Sequence, residues 1–447
     1  MLKVQIGQRR RQCCDGVSRR HALRLGTTSL LGGLALPQLL QLQAKAATKQ
    51  AAKAKSCIFL FLEGGPPHQD MWDPKPAAPA EIRGPFSPIA TNVPGTQVTN
   101  QLPLCAKMAD KYTILRSHSH RDNGHTTGYH YVMTGRRANF ADGDNPVPNN
   151  AFYPSVGSIV SRELGTKSEI PPYINLPHPM AGGGPGFYGA EHAPFVIEAD
   201  PTQPDFEVKD LRPIAGLSQK RLSTRQKLLA GIEKLERNAS RGRADVMSTY
   251  YEKAHRLITS PAAKKAFDIH AEPRAVRERY GSTQIGQCAL LARRLVESGC
   301  RFVGVDAPGW DVHFNCFPSL QTDLIPYADR AFSALVTDLE ERGLLDETLV
   351  VMMGEMGRTP RINAQAGRDH WSMAQTVIFA GGGTKPGQII GATDKQAAAP
   401  ATEPIGVNDL LFTIHTLMGI DPTRIYYGPL GRPVPITDGG KLIDALV

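Results

Sequence analysis

The chain has 447 residues, 41% of them hydrophobic, enough for a large buried core in one big domain or two ordinary ones. Its net charge of +9 would suit a nucleic-acid partner, but eight of the 51 basic residues and only one of the 42 acidic ones lie in residues 1–47. The remainder is near neutral, at +2, and offers no electrostatic footprint for DNA or RNA.

The first 47 residues read as a signal peptide. Ser18-Arg19-Arg20-His21-Ala22-Leu23 precedes a mildly apolar run from Leu25 to Leu42, which ends in Ala44-Lys45-Ala46-Ala47. A charged start, a short apolar centre and a small-residue cleavage site define such leaders, and the paired arginines resemble the twin-arginine class. Pro37 and the glutamines Gln38, Gln41 and Gln43 argue against a membrane-spanning segment, which needs about 20 apolar residues. The expectation is a periplasmic or secreted protein whose mature part is residues 48–447, with no stable membrane span after the leader is removed. Outside the leader, Cys57, Cys105, Cys288, Cys300 and Cys316 are scattered and odd in number, so buried free thiols are expected rather than a disulfide framework.

Along the mature chain, residues 56–62 form a continuous apolar run ending in Glu63-Gly64-Gly65, the pattern of a buried parallel strand that meets a sharp loop. Residues 112–115 form a second short strand, and a helix is expected from about Thr127 to Thr134. Residues 136–200 read as loops, and about 217–295 as a charged helical lid or insertion. Further strands are expected at 301–305, 348–353 and 376–380, with helices over 327–342 and 408–418. The alternation predicts an α/β fold: a mostly parallel central sheet with helices on both faces.

In such sheets ligands sit beyond the carboxyl ends of the strands. Glu63, with His68 and Asp70 close behind, follows the first strand. Asp311 and His313 follow the strand at 301–305, Glu355 and Arg358 follow that at 348–353, and Asp369 and His370 precede the next. The loop after the second strand leads to His125, Thr126 and His130. Carboxylates mixed with imidazoles suit Zn or Mn rather than ions that prefer all-oxygen shells, so one or two divalent metal ions are expected. Arg136, Arg358 and Arg368 are candidates for gripping a phosphate or sulfate, Arg358 foremost. Trp310 and Trp371 flank the metal motifs, either to stack on a sugar or to pack the loops.

The motifs LEGGPPHQDMWDPK, GWDVHFN, GEMGRTPRI and GRDHW resemble the family of unknown function numbered 1501, within the alkaline-phosphatase and sulfatase superfamily. The resemblance covers nearly the whole mature chain. It implies an alkaline-phosphatase-like domain over 48–447 and metal ligands among Glu63, His68, Asp70, Asp311, His313, Glu355, Asp369 and His370. The usual Asp-His pair of one metal site stands here as Glu355-Met356. Counting back from Thr134-Gly135-Arg136 reaches His125 by comparison with sulfatases. By comparison with phosphopentomutases, counting back from Gly135 reaches Thr126, with His130 matching their histidine. Thr126 is then either a nucleophile activated by a metal or the cap of its helix. The resemblance implies a metal-dependent hydrolase of small-molecule or polysaccharide phosphate or sulfate esters. The alternative is an exported metal protein without catalysis that binds carbohydrate or a protein partner.

Overall fold

In the computed structural model the described residues are 52–138, 153–166, 168–208, 221, 224, 257, 260–428 and 431–447. The leader expected over residues 1–47 lies outside them. The strands of the main sheet are β1 (Ser56–Leu62), β2 (Tyr112–His118), β3 (Tyr173–Leu176), β4 (Phe195–Val196), β5 (Phe302–Ala307), β6 (Thr348–Met353), β7 (Gln375–Ala380) and β8 (Gln388–Ile390). Their order across the sheet is β8-β2-β7-β6-β1-β5-β3-β4.

Central β1 lies between β5 and β6, parallel to both, with Leu60 opposite Val305 and Met352. Alternation along β1 feeds two cores. Ile58, Leu60 and Leu62 join α3 (Gln284–Glu297) and α4 (Ile325–Glu341) on one face. Cys57, Phe59 and Phe61 join α1 (His125–Thr134), α2 (Val156–Leu164) and α5 (Val407–Leu417) on the other. Both faces are covered, which is why β1 is apolar from Cys57 to Leu62 and wholly buried.

Strand β7 alone runs against the others, antiparallel to β2 and β6. The chain leaves β6 at the carboxyl edge and makes a small hairpin there, Gly357–Arg358 with His370–Trp371. It re-enters the sheet from that same edge, so β7 must run back.

The described residues of the stretch 136–200 carry more regular structure than its loop-like sequence suggests. Ser155 caps α2 by accepting from Ser158 N at 3.3 Å, and four-residue β3 follows. In the stretch expected to be a helical insertion, the chain from Pro261 on is helical, over Pro261–Phe267, Arg274–Tyr280 and α3. Most of its earlier part lies outside the described residues. Helix α3 is a wall of the core, with Cys288, Leu291 and Leu295 fully buried beside β5. The five cysteines of the described residues are free and buried. No helix among the described residues is long and apolar enough to cross a membrane.

Candidate metal centre

The carboxyl edge of the sheet gathers the site. Strand β1 delivers Glu63 and Gly64, β5 leads into the loop of Asp311 and His313, and β6 into Glu355. The loop after β2 ends at His125, the first residue of α1, and the small hairpin supplies Arg358 and His370. Gly64 (φ +113°) has no room for a side chain, since a Cβ there would lie 2.4 Å from Asp311 N. Its own N–H donates to both Glu355 oxygens at 3.1 Å, and Trp310 N donates to Glu63 O at 3.1 Å. The three strand ends are thus laced together by the backbone around one glycine.

Three imidazoles point inward at Asp311. The Nε2 atoms of His313, His370 and His125 lie 2.9, 3.1 and 3.2 Å from Asp311 Oδ1. Each ring has its Nδ1 against an acceptor: Asp369 Oδ1 at 2.8 Å for His313, Asn123 O at 2.7 Å for His370, Glu355 Oε1 at 2.6 Å for His125. Acceptors that carry no proton require Nδ1–H on all three rings. In the neutral rings the Nε2 lone pairs then face the centre, the orientation of metal-binding histidines whose far nitrogen is held by a carboxylate or carbonyl.

The donor atoms of His125, Asp311 and His370 lie within 4.8 Å of one another, the one such group of three among the described residues. His313 adds its Nε2 at 3.0 Å from His370 Nε2. Two lone pairs at that distance repel unless a cation or a proton sits with them. His125 Nε2 is buried and outside hydrogen-bond geometry with any partner, despite its approach to Asp311. This donor set fits a four-coordinate N₃O ion such as Zn.

Burial works against the charge on both His125 and Asp311, and their surroundings outweigh it. His125 is lifted to about 9 because Asp311 and Glu355 flank it. Asp311 is held well below the usual carboxylate range by the approach of His125, His370 and Arg358.

The remaining expected residues have other partners. Fully buried Arg358 donates to Gly65 O at 3.0 Å, to Arg368 O at 3.1 Å, to Asp311 Oδ1 at 2.6 Å and to Gly64 O. Its last N–H points at His313 Nε2 at 3.4 Å, so the guanidinium steadies Asp311 and has no donor left for an anion. Arg368 is likewise spent, gripping Asp70 Oδ1 and Oδ2 at 2.9 and 2.7 Å, so Asp70 is a buried ion-pair partner away from the metal donors. Arg136 bonds Asp438 and Pro435 O. His68 Nε2 bonds Ala397 O at 2.8 Å, and burial pushes this ring down to about 4, against the pull of Asp73. Trp310 is packed inside, and Trp371 donates to Ala398 O.

Gly124 is the N-cap of helix α1, so Thr126 is inside its first turn and does not cap it. His130, five residues beyond His125, is rotated about 140° around the helix. It is buried, with its ring 6.4 Å from that of Tyr153. Glu63, half-buried, acts on Tyr129 and Asp306 as a neighbouring carboxylate that pushes both groups up. Asp306 was not among the expected residues. Burial first, then the neighbouring Glu63 and Glu355 carboxylates, push it up to about 8. A lone carboxylate inside the apolar run of β5 is the signal that marks it.

Sheet and site together define an α/β protein with a histidine–aspartate centre at the carboxyl edge of its strands. The chain belongs to the family described as "Protein of unknown function (DUF1501)", whose model matches residues 54–447. No curated protein matches the sequence. Among solved structures, it is similar to Ps i-CgsB in complex with k-i-k-neocarrahexaose, at 14% identity and a TM-score of 0.37, over 82% of this chain and 72% of that one. The PsFucS1 sulfatase from Pseudoalteromonas sp. gives 13%, 0.35, 90% and 72% in the same terms. Alkaline phosphatase from the Antarctic bacterium TAB5 gives 10%, 0.37, 83% and 100%.

Proposed function

We propose that this protein is a metal-dependent hydrolase of phosphate or sulfate esters, acting at the centre formed by His125, Asp311, His313 and His370. The observation that carries the reading is the convergence of three Nε2 atoms on Asp311 Oδ1, each ring fixed through its Nδ1. A bound Zn or Mn ion would supply Lewis-acid stabilisation of charge on an ester oxygen. The chain's own residues do the positioning. Glu355 orients His125, Asp369 and the Asn123 carbonyl orient His313 and His370, and Arg358 fixes Asp311.

The attacking hydroxyl in this reading is that of Thr126. It follows His125 directly, in the first turn of α1, where free backbone N–H groups favour an anion. Aryl phosphates and aryl sulfates, assayed with the metal-loaded full chain, test this. Turnover that disappears both on chelation and in Thr126→Ala supports the whole reading. Turnover that survives Thr126→Ala removes the threonine and leaves the metal centre, and no turnover with any ester rejects the hydrolase.

One observation favours a metal protein without catalysis. The N–H groups of Arg358 and Arg368 are taken by protein acceptors, so neither arginine is free to grip an oxyanion. Such a protein would keep its metal and turn over no ester.

The reading includes export through the twin-arginine route, on the strength of Arg19 and Arg20 ahead of the apolar run. Replacing both with lysine should hold the precursor in the cytoplasm. Delivery of that variant to the periplasm would reject the route.

A further inference from the structure

Phe314 follows His313 in the loop after β5, and the residue is 73% exposed. Its ring centroid is 6.2 Å from that of His313, whose own partners Asp311 and Asp369 are about half exposed. The two tryptophans of the site motifs are occupied, one packed inside and one bonded to Ala398 O. Among the described residues, the other exposed large apolar residues (Leu104, Tyr327, Ile425, Tyr427) lie in helices or a strand, not in the loops that carry the donor residues.

Single exposed apolar residues are ordinary on a protein surface. The backbone sets this one apart. The loop carrying Phe314 is zipped to residues 363–368 by Asn315 N to Gln365 O at 2.8 Å, Cys316 N to Ala366 O at 3.0 Å and Arg368 N to Val312 O at 3.0 Å. Asn363 Nδ2 adds a bond to His313 O at 3.0 Å. Gly367 packs so closely that a Cβ on it would lie 2.0 Å from His313 O and 2.6 Å from Phe314 N. Asn315 and Ala366 hold φ of +38° and +56°, and they are two of the three non-glycine residues with positive φ among those described. Residues without a glycine's freedom are held in the left-handed region only where their surroundings fix them, and such strain clusters at ligand clamps. Here the fixed double loop holds an aromatic ring in water beside the metal donors, where a flexible loop would let it fold inward.

We propose that Phe314 is a specificity-determining residue. It is an apolar platform at the mouth of the centre that stacks against the ring of a ring-bearing ester, an aryl or pyranose group, and so selects such esters over small aliphatic ones. This rests on the ester-hydrolase reading above. The oxyanion end of the ligand meets the metal centre, and the ring lies along Phe314, outside the charged cluster. The contact is apolar and stacked, so its loss weakens binding of the ring without touching the anion's own contacts.

The experiment separates the two readings by binding rather than turnover. Phenylphosphonate and benzenesulfonate are titrated calorimetrically against methylphosphonate and methanesulfonate, using metal-loaded full chain, Phe314→Ala and Phe314→Trp. Metal content and circular dichroism confirm that the variants are intact. The native protein should hold at least one phenyl ligand about five- to tenfold more tightly than its methyl counterpart. Phe314→Ala should erase that preference and leave the methyl ligand unchanged, and Phe314→Trp should retain it. A phenyl preference that persists in Phe314→Ala, equal affinities in the native chain, or equal weakening of both ligands in Phe314→Ala overturns the platform alone. Native protein that binds none of the four ligands overturns the ester site and the platform with it.

Discussion

His313 Nε2 stands 3.0 Å from His370 Nε2, with Asp311 Oδ1 2.9 Å from the first and 3.1 Å from the second. Both rings give their Nδ1–H to fixed acceptors, so the centre is a set of inward lone pairs around one carboxylate oxygen. A cation removes the repulsion at once. Purified protein should carry about one transition ion per chain, and a chelator should lower its melting temperature. Asp369→Asn weakens the hold on His313 and should cost about 10–100-fold in metal affinity. Asp311→Asn removes a donor and should cost more than Asp369→Asn. Elemental analysis and competition titration check the order, and equal affinities across all three chains would exclude the site.

The protonation of His125 gives a second test, in the metal-free protein. Its pKa is raised to about 9, above an unfolded value of about 6.5. The stabilisation is therefore fully present below about pH 6.5 and is lost as pH rises through about 9. Denaturant titration of chelated protein should find it less stable at pH 9.5 than at pH 6, by on the order of 2 kcal/mol. His125→Gln should reduce that dependence to the part that Asp306 contributes. Metal binding runs the other way, because it needs the neutral ring. Affinity should rise with pH towards 9 and binding should release a proton.

Asp70 and Arg368 are a pair with both side chains fully buried. Removing one partner of such a pair leaves an uncompensated charge, at a cost of about 3–5 kcal/mol. Asp70→Ala should lower stability by that amount in denaturant unfolding, whether or not metal is present. If Asp70 served the metal instead, the loss would appear only in the metal-loaded protein.

These pairs explain what the sequence reveals and what it hides. Asp311, His313 and His370 are legible because each lies beside a strand whose apolar run marks the carboxyl edge of the sheet. Asp70 looks equally well placed behind Glu63, yet its partner is 298 residues away and no spacing rule links them. Arg358 and Arg368 read as anion grips because their residue type is visible while the carbonyls that consume their donors are not. The reversed direction of β7 depends on which edge the chain leaves and re-enters, which an apolar run does not encode. Asp306 was missed for the opposite reason: its neighbours declare a buried strand so strongly that one carboxylate passes as part of it.

Asp306 supplies the last test. It is 5% exposed, its Oδ1 has no hydrogen-bond partner, and burial with the nearby Glu63 and Glu355 carboxylates raises it to about 8. A carboxyl whose folded pKa lies above its unfolded value of about 4 favours folding in its protonated form. Its contribution is fully present below about pH 4 and is lost as pH rises to about 8. Asp306→Asn keeps the shape and removes the ionisation. In chelated protein the variant should match the native chain near pH 4 and exceed it at pH 8 by on the order of 2 kcal/mol. Urea unfolding at the two pH values reads this directly. A difference that stays constant between them would mean that the carboxyl does not titrate in the folded protein over that range.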